Sequence, residues 1–375
     1  MSETGNEISR TGRDTWVPRP TLPGSAYHSA ETWEQEKERV FASGWICVGR
    51  EEEVGEAGFV VRPVAEESVV VARSSDGALH GFYNVCAHRG TRLLDGEGTL
   101  RSGAIVCPYH SWTYSAAGSL LATPNVAEDE RFSRADYRLR SVALETWHGF
   151  VFVNLAQEPE SLRAYLGRNH EDDPTDRLVP WGLADLRIAH RIVYDIAANW
   201  KILVENYSEC LHCPGVHPEL VRLIPQFGRG EIEDDTGALL ADGATTLTLS
   251  GTTTRPPLPG LAGNDLHVYL GNTIFPTLMI NLHPDCVMTY RLEPLGPART
   301  RIVSEFLFHP ETIAGEGFDP GDIAEFWDLV SEQDWAVCER VQTGVGSRAY
   351  AAGGVYPVKD SSVAGFNDRY RASMG

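Results

Sequence analysis

The sequence predicts an α+β chain in two parts: a small all-β domain, then a larger region of strands flanked by helices. Between residues 58 and 85, short runs rich in Val and aromatics are broken by Gly and Asp, as in a series of strands. Beyond residue 158, strand-like runs and helical patterns both occur, but without the regular alternation of a βαβ protein. Near the C-terminus one charged stretch keeps a helical period over about six turns.

In chain order, residues 1–24 read as a mobile leader stiffened at its end by Pro18, Pro20 and Pro23. SAETWEQEKERVFASGWICVGR (29–50) opens on a helix start signal, Ser29 with Glu31 and Glu34 close behind, and runs into an aromatic strand. GFVVRPV, SVVVARS and LHGFYNV read as strands, and LETWHGFVFVNLA (144–156) reads as the last one of the first domain. The expected organisation is a leader and helix over 1–40 packed on the C-terminal domain, an all-β domain over 41–158, and a second domain over 159–375. In that second domain a strand at 189–196 precedes a helix carrying WKILVENYSECLHC. Residues 218–262, with many Gly, Thr and Pro, define no clear element. Strands at 267–281, 286–293 and 301–309 lead into the long helix, from about 320 to 343.

Composition narrows the function. Of the 375 residues, 42 % are hydrophobic and 22 % charged, ordinary for a globular protein. No run approaches the roughly 18 apolar residues that span a bilayer. The polar start MSETGNEISRTGRDTW has no apolar signal core, so the expected location is cytoplasmic. A net charge of −20 argues against nucleic acid as a partner. Seven cysteines at irregular spacing do not suggest a disulfide framework; metal ligation for some and burial for the rest fits better.

Two ligand clusters stand out. Cys86-x-His88 and Cys107-x₂-His110 each offer one sulfur and one imidazole. A [2Fe–2S] cluster with two cysteines on one iron and two histidines on the other needs such a pair from each of two loops. A structural zinc site accepts the same four side chains, so the spacing alone leaves both open. The second cluster is NWKILVENYSECLHCPGVHPEL (199–220), with Glu205, Glu209, Cys210, His212, Cys213 and His217. A mononuclear non-haem iron that activates O₂ wants two histidines and one carboxylate. His212 and His217, five apart, do not share one helical face, so the helix must distort or end near Pro214-Gly215. Cys210-x₂-Cys213 also reads as a zinc or redox pair, but no second pair accompanies it. Glu145-x-x-His148 with Glu209-x-x-His212 would make a di-iron pattern, except that the former lies in a strand.

The long helix offers the carboxylate. At about 100° per residue, Ile323, Trp327, Val330, Val337 and Val341 fall on one stripe with Asp334 in its middle. Glu325, Asp328, Glu332 and Glu339 point away. A buried aspartate on an apolar face needs a partner, and two histidines lack an acid.

CAHRG and CPYHSWTY resemble the ligand loops of Rieske iron–sulfur domains. NWK…EN..E..H….HPEL, followed by EQDW..CERVQ.G, resembles the catalytic domain of Rieske non-haem iron oxygenases, the aromatic ring-hydroxylating α subunits. The likeness covers nearly the whole chain. It implies an N-terminal Rieske [2Fe–2S] domain and a C-terminal helix-grip catalytic domain, an antiparallel sheet with helices. Cys86 and Cys107 would hold the inner iron of the cluster, His88 and His110 the outer one. His212, His217 and Asp334 would hold the mononuclear Fe(II). A head-to-tail homotrimer is implied, with Glu209 hydrogen-bonding His212 and, across the interface, His110. Asn206 is a further candidate to face that iron.

Many ring-hydroxylating members carry aspartate at the bridging position. Glu209 instead is similar to the branch that oxidises quaternary ammonium compounds such as glycine betaine, stachydrine and carnitine. That implies a monooxygenase or dioxygenase reaction in which an N-methyl group is hydroxylated and lost as formaldehyde, the cation held by aromatic faces. The alternative from the same iron chemistry is hydroxylation or O-demethylation of an aromatic acid, which a pocket arginine would mark. No strand–GxGxxG–helix unit or ferredoxin cysteine set is found, and Gly96-Glu97-Gly98 reads as a loop. A separate NAD(P)H-dependent reductase carrying flavin or iron–sulfur is therefore expected as partner.

Overall fold

The computed structural model describes residues 18–124, 126–127, 129, 131–169, 174–231 and 237–375. A short helical turn at Ser25–His28 leads to α1 (Ala30–Glu36), which runs on as a wider π turn through Ala42. Ser29 caps it, its hydroxyl accepting the Thr32 N–H at 3.3 Å. The expected mobile leader lies outside the described residues as far as residue 17. Its end is docked rather than free: Arg19–Pro20 pairs antiparallel with Val355–Tyr356, and Leu22 is buried.

The first domain holds β1 (Ile46–Arg50), β2 (Gly58–Val64), β3 (Glu67–Arg73), β4 (Leu79–Tyr83) and β5 (Glu97–Thr99). It continues with β6 (Ala104–Val106), β7 (Thr113–Ser115), β8 (Leu120–Ala122), β9 (Ser141–Trp147) and β10 (Phe150–Asn154). A seven-stranded antiparallel sheet runs in the order β1-β10-β9-β4-β3-β2-β5, beside a three-stranded one, β6-β7-β8. The 144–156 run, expected as one strand, is a hairpin. His148 (φ 49) and Gly149 (φ 80) both sit in the left-handed region, as a two-residue turn of type I′ requires. Glu97–Gly98, expected as loop, belongs to edge strand β5.

After α2 (Leu162–Asn169), the second domain builds a six-stranded antiparallel sheet. Its strands are β11 (Arg187–Ile196), β12 (Ala238–Leu239), β13 (Val268–Ile274), β14 (Leu278–Leu282), β15 (Val287–Gly296) and β16 (Arg299–Phe308). They lie in the order β11-β16-β15-β14-β13-β12. The 267–281 run is again a hairpin, β13 and β14, turned at Phe275–Thr277 where Pro276 cannot donate to a ladder. The helices of this domain include α3 (Trp200–Tyr207), α4 (Cys213–Val216), α5 (Pro218–Leu223), α6 (Gly321–Val345) and α7 (Ser361–Met374).

The helix expected to carry Glu209 through Cys213 stops at Tyr207. Pro214 and Pro218, which lack an N–H, begin new short helices instead, a position where proline is accommodated. On α6 the buried stripe is Ile323, Trp327, Val330, Trp335 and Cys338, joined by Phe326 and Ser331. Val341 leaves it, 41 % exposed, and Asp328 turns inward to accept the Tyr194 hydroxyl at 2.7 Å.

A buried ion pair ties α1 to the second domain: Lys201 (0 % exposed) meets Glu36 (1 %), which also accepts from Trp200 Nε1 at 3.1 Å and the Tyr370 hydroxyl at 2.7 Å. Between the sheets, buried Arg50 donates to the Leu183 and Leu186 carbonyls at 2.8 and 3.0 Å.

Candidate metal centres

The two N-terminal loops share one backbone plan. In each, the cysteine carbonyl accepts an N–H four residues on (Gly90 at 3.0 Å, Ser111 at 3.1 Å). Each cysteine N–H donates to the carbonyl five residues on (Thr91 and Trp112, both 2.8 Å). The fourth residue is left-handed both times, Gly90 at φ 71 and Ser111 at φ 57. Such tight turns bring both sulfurs inward: Cys86 and Cys107 are 2 % and 1 % exposed, while His88 is exposed and His110 half-buried. The imidazoles lie 4.7 Å apart, and His88 stacks on Trp112 at 4.7 Å.

The two sulfurs sit in different electrostatic surroundings. Burial pushes the Cys86 thiol up, with the buried Tyr114 hydroxyl 3.2 Å from its Sγ and placed to donate to a thiolate. For Cys107 burial acts the same way, but the backbone N–H groups of Tyr109 and His110 outweigh it and hold the thiol below its ordinary range. His110 Nδ1 is buried without a hydrogen-bond partner, an orphan that a metal bond would satisfy. The donor set of two inner sulfurs and two outer imidazoles fits a Rieske cluster, each kind on its own iron. Neither cysteine is in a disulfide.

The second centre forms where α6 crosses the turns after α3. His212, His217 and Asp334 bring their donor atoms within 4.8 Å of one another. Asp334 Oδ1 lies 2.9 Å from His217 Nε2 and 3.3 Å from His212 Nε2. The turn at 208–212, closed by the Leu211 N–H donating to Glu209, does what a helix face was expected to do. It sets Glu209 Oε1 2.7 Å from His212 Nδ1. Burial favours a neutral Asp334, yet the hydrogen bonds from both histidines hold it below the carboxylate range. Burial likewise disfavours a charged His212, but Asp334 and Glu209 override it and raise the imidazole to about 9. Two imidazoles and one carboxylate on one side of a point fit a non-haem iron with open positions. Among the described residues this is the one such grouping.

Asn206 is half-buried in the last turn of α3, with no side-chain hydrogen bond to the triad. Cys210 and Cys213, weighed as a zinc or redox pair, form a disulfide with Cα atoms 5.0 Å apart, so neither offers a free thiolate. Glu145 lies in β9 and accepts the Leu162 N–H at 3.2 Å, outside any di-iron geometry. Sequence reasoning missed Gln333, whose Oε1 lies 2.7 Å from His217 Nδ1. Its only signal was adjacency to Asp334. It also missed an aromatic group that joins α6 to the sheet: Tyr290 meets Tyr207 edge-on at 6.4 Å and Trp335 at 5.7 Å, and Trp335 meets Tyr194 at 5.8 Å.

Residues 183–375 match the ring hydroxylating alpha subunit (catalytic domain), and residues 44–145 match the Rieske [2Fe-2S] domain. The chain belongs to that family. It is an oxidoreductase, the oxygenase subunit of a multicomponent system supplied by a reductase, with a [2Fe–2S] cluster and a mononuclear iron as its cofactors.

Among its relatives, the glycine betaine monooxygenase oxygenase subunit of Chromohalobacter salexigens is 27 % identical, over 94 % of this chain and 86 % of its own. The carnitine monooxygenase oxygenase subunit of Escherichia coli K12 is 31 % identical, over 93 % of this chain and 90 % of its own. The solved quaternary ammonium Rieske monooxygenase CntA, in complex with L-carnitine, superposes with a TM-score of 0.74 at 26 % identity, covering 96 % of both chains. Rhodococcus naphthalene 1,2-dioxygenase, at 21 % identity and a TM-score of 0.71, shares the fold. No described helix is long and apolar enough to cross a membrane.

Proposed function

We propose that this chain is the terminal oxygenase that hydroxylates an N-methyl group of a small quaternary ammonium compound of the betaine or carnitine kind. The observation that carries the reading is the array Glu209–His212–Asp334–His217, two imidazoles and one carboxylate converging with a further acid behind His212. His212, His217 and Asp334 would hold the mononuclear iron. Cys86 and Cys107 would hold the inner cluster iron, His88 and His110 the outer. Iron so held supplies O₂ activation and hydroxylation of the methyl carbon, with electrons arriving singly through the cluster. The hydroxymethyl ammonium then loses formaldehyde and a proton, leaving the demethylated amine.

The chain's own residues do the rest. Tyr194, Tyr207, Tyr290 and Trp335 offer ring faces to a trimethylammonium group, each worth about 0.5–2 kcal/mol. Tyr207 is two residues before Glu209 and Trp335 directly follows Asp334 in the sequence, and the Tyr290 ring meets both of theirs. Asn206 is assigned to the substrate side of the iron. An aromatic carboxylate would call for an uncommitted arginine. The buried Arg255 is paired with Asp285 and Asp322, and Arg291 with Glu293.

Glu209 is assigned to join His212 to the partner subunit's His110 in a head-to-tail homotrimer. Two exposed apolar rims support this: Val85, Val106 and Tyr109 around the cluster loops, and Leu211 beside Glu209. Inter-subunit electron transfer is described for the carnitine-oxidising relative. The electron donor is proposed as an NAD(P)H-dependent reductase with flavin and iron–sulfur.

A single-turnover assay tests the reading. The protein is reduced chemically and given O₂ with N-methylated betaines or with aromatic acids. Formaldehyde and loss of one methyl from a betaine are expected; a hydroxylated aromatic product, or no betaine product, would overturn the substrate assignment.

A further inference from the structure

His217 is spanned on both ring nitrogens by consecutive residues of α6. Asp334 Oδ1 meets Nε2 at 2.9 Å and Gln333 Oε1 meets Nδ1 at 2.7 Å. The ring is 1 % exposed, so water does not compete for either nitrogen. A glutamine alone does not settle a tautomer, because its amide can present oxygen or NH₂. Here Glu219, the second residue of α5, removes the ambiguity. Its Oε2 lies 3.4 Å from the Gln333 amide nitrogen, and a carboxylate only accepts. The NH₂ must therefore face Glu219 and the oxygen must face His217. His217 must then donate from Nδ1, so Nε2 is the nitrogen left to turn its lone pair on a metal in place of the hydrogen bond to Asp334.

We propose that Gln333, oriented by Glu219, is a positioning residue that fixes His217 as its Nδ1–H tautomer and so presents Nε2 to the iron. The inference rests on the ligand assignment above. The two histidines are thereby held differently. His212 leans on the carboxylate of Glu209, assigned to the subunit interface, whereas His217 leans on a neutral amide inside the fold. Outer partners of this kind fix ring orientation and typically carry about 10–100-fold in metal affinity.

The test is a double-mutant cycle read by metal affinity. The full chain, its cluster intact by absorbance, is emptied of mononuclear iron and titrated with Co(II). Gln333→Met is expected to weaken Co(II) about 10–100-fold. Glu219→Gln is expected to weaken it too, because the Gln333 amide can now turn. Gln333→Glu accepts from Nδ1–H without help, so it should retain affinity, and adding Glu219→Gln to it should cost nothing further. A second readout is the exchangeable His217 Nδ1–H proton in the NMR spectrum of the Co(II) protein. It is expected in wild type and Gln333→Glu and lost in Gln333→Met.

Equal loss from Glu219→Gln in both backgrounds, or full affinity in Gln333→Met, would overturn the proposal. His217→Ala separates the two levels: if it leaves Co(II) affinity unchanged, the ligand assignment itself is wrong.

Discussion

Loading ferrous iron into the metal-free mononuclear site should release close to one proton per iron at pH 7, with affinity climbing until about pH 9. His212 is the cause. Burial disfavours its charged form, but Asp334 and Glu209, at 3.3 and 2.7 Å, override burial and raise its pKa from 6.5 to about 9. A metal takes Nε2 only once the proton has left. At pH 7, two units below that value, the competition costs about 2.7 kcal/mol, roughly 100-fold in affinity. Stability of the metal-free protein moves the other way. A pKa raised on folding gives stabilisation that is complete below the unfolded value of 6.5 and lost as pH rises through about 9. For this group it amounts to about 3 kcal/mol. Anaerobic titration calorimetry with Fe(II), in two buffers of different ionisation enthalpy at pH 7, 8 and 9.5, counts the protons directly. An affinity flat across that range, with no buffer-dependent heat, would refute the reasoning.

Glu209→Gln should leave both iron centres occupied while slowing multiple turnover severely, because the acid next to His212 goes; unchanged turnover would mean that Glu209 only closes its own turn. Tyr114→Phe removes the hydrogen bond to Cys86 Sγ. If that bond favours the reduced cluster by about 1 kcal/mol, the potential falls by roughly 40 mV, at about 59 mV per 1.4 kcal/mol for one electron; redox titration followed by EPR checks it. Lys201→Met strands Glu36 in the interior and should cost about 3–5 kcal/mol in urea unfolding, with Glu36→Gln added to it recovering a large part.

The cluster loops were legible as a metal-ligand pair because their chemistry is local: a cysteine, a histidine and a turn former lie within five residues, a pattern that zinc and iron–sulfur share. Asp334 was legible for another reason, as one acid on an apolar helical stripe. The link from Glu209 to His212 came through with the wrong backbone, since a hydrogen-bonded turn and a helix both bring residues three apart together. Both hairpins were read as single strands. His148 does not advertise a left-handed residue, and Pro276 stands between two short apolar stretches, Ile274–Phe275 and Leu278–Ile280, that read as one strand. Gln333 and the rings of Tyr290 and Trp335 depend on how α6 lies across the sheet, a long-range register that no local pattern encodes. Gln333 by itself looks like any polar residue on a helix surface.

The most direct measurement is the iron content and EPR spectrum of Asp334→Ala beside the wild type. The account predicts one iron beyond the two of the cluster in wild type. It predicts loss of that one alone in the variant, with the Rieske signal and red-brown colour unchanged. A variant that keeps the extra iron, or a wild type that never held it, would contradict the assignment of a mononuclear centre to His212, His217 and Asp334.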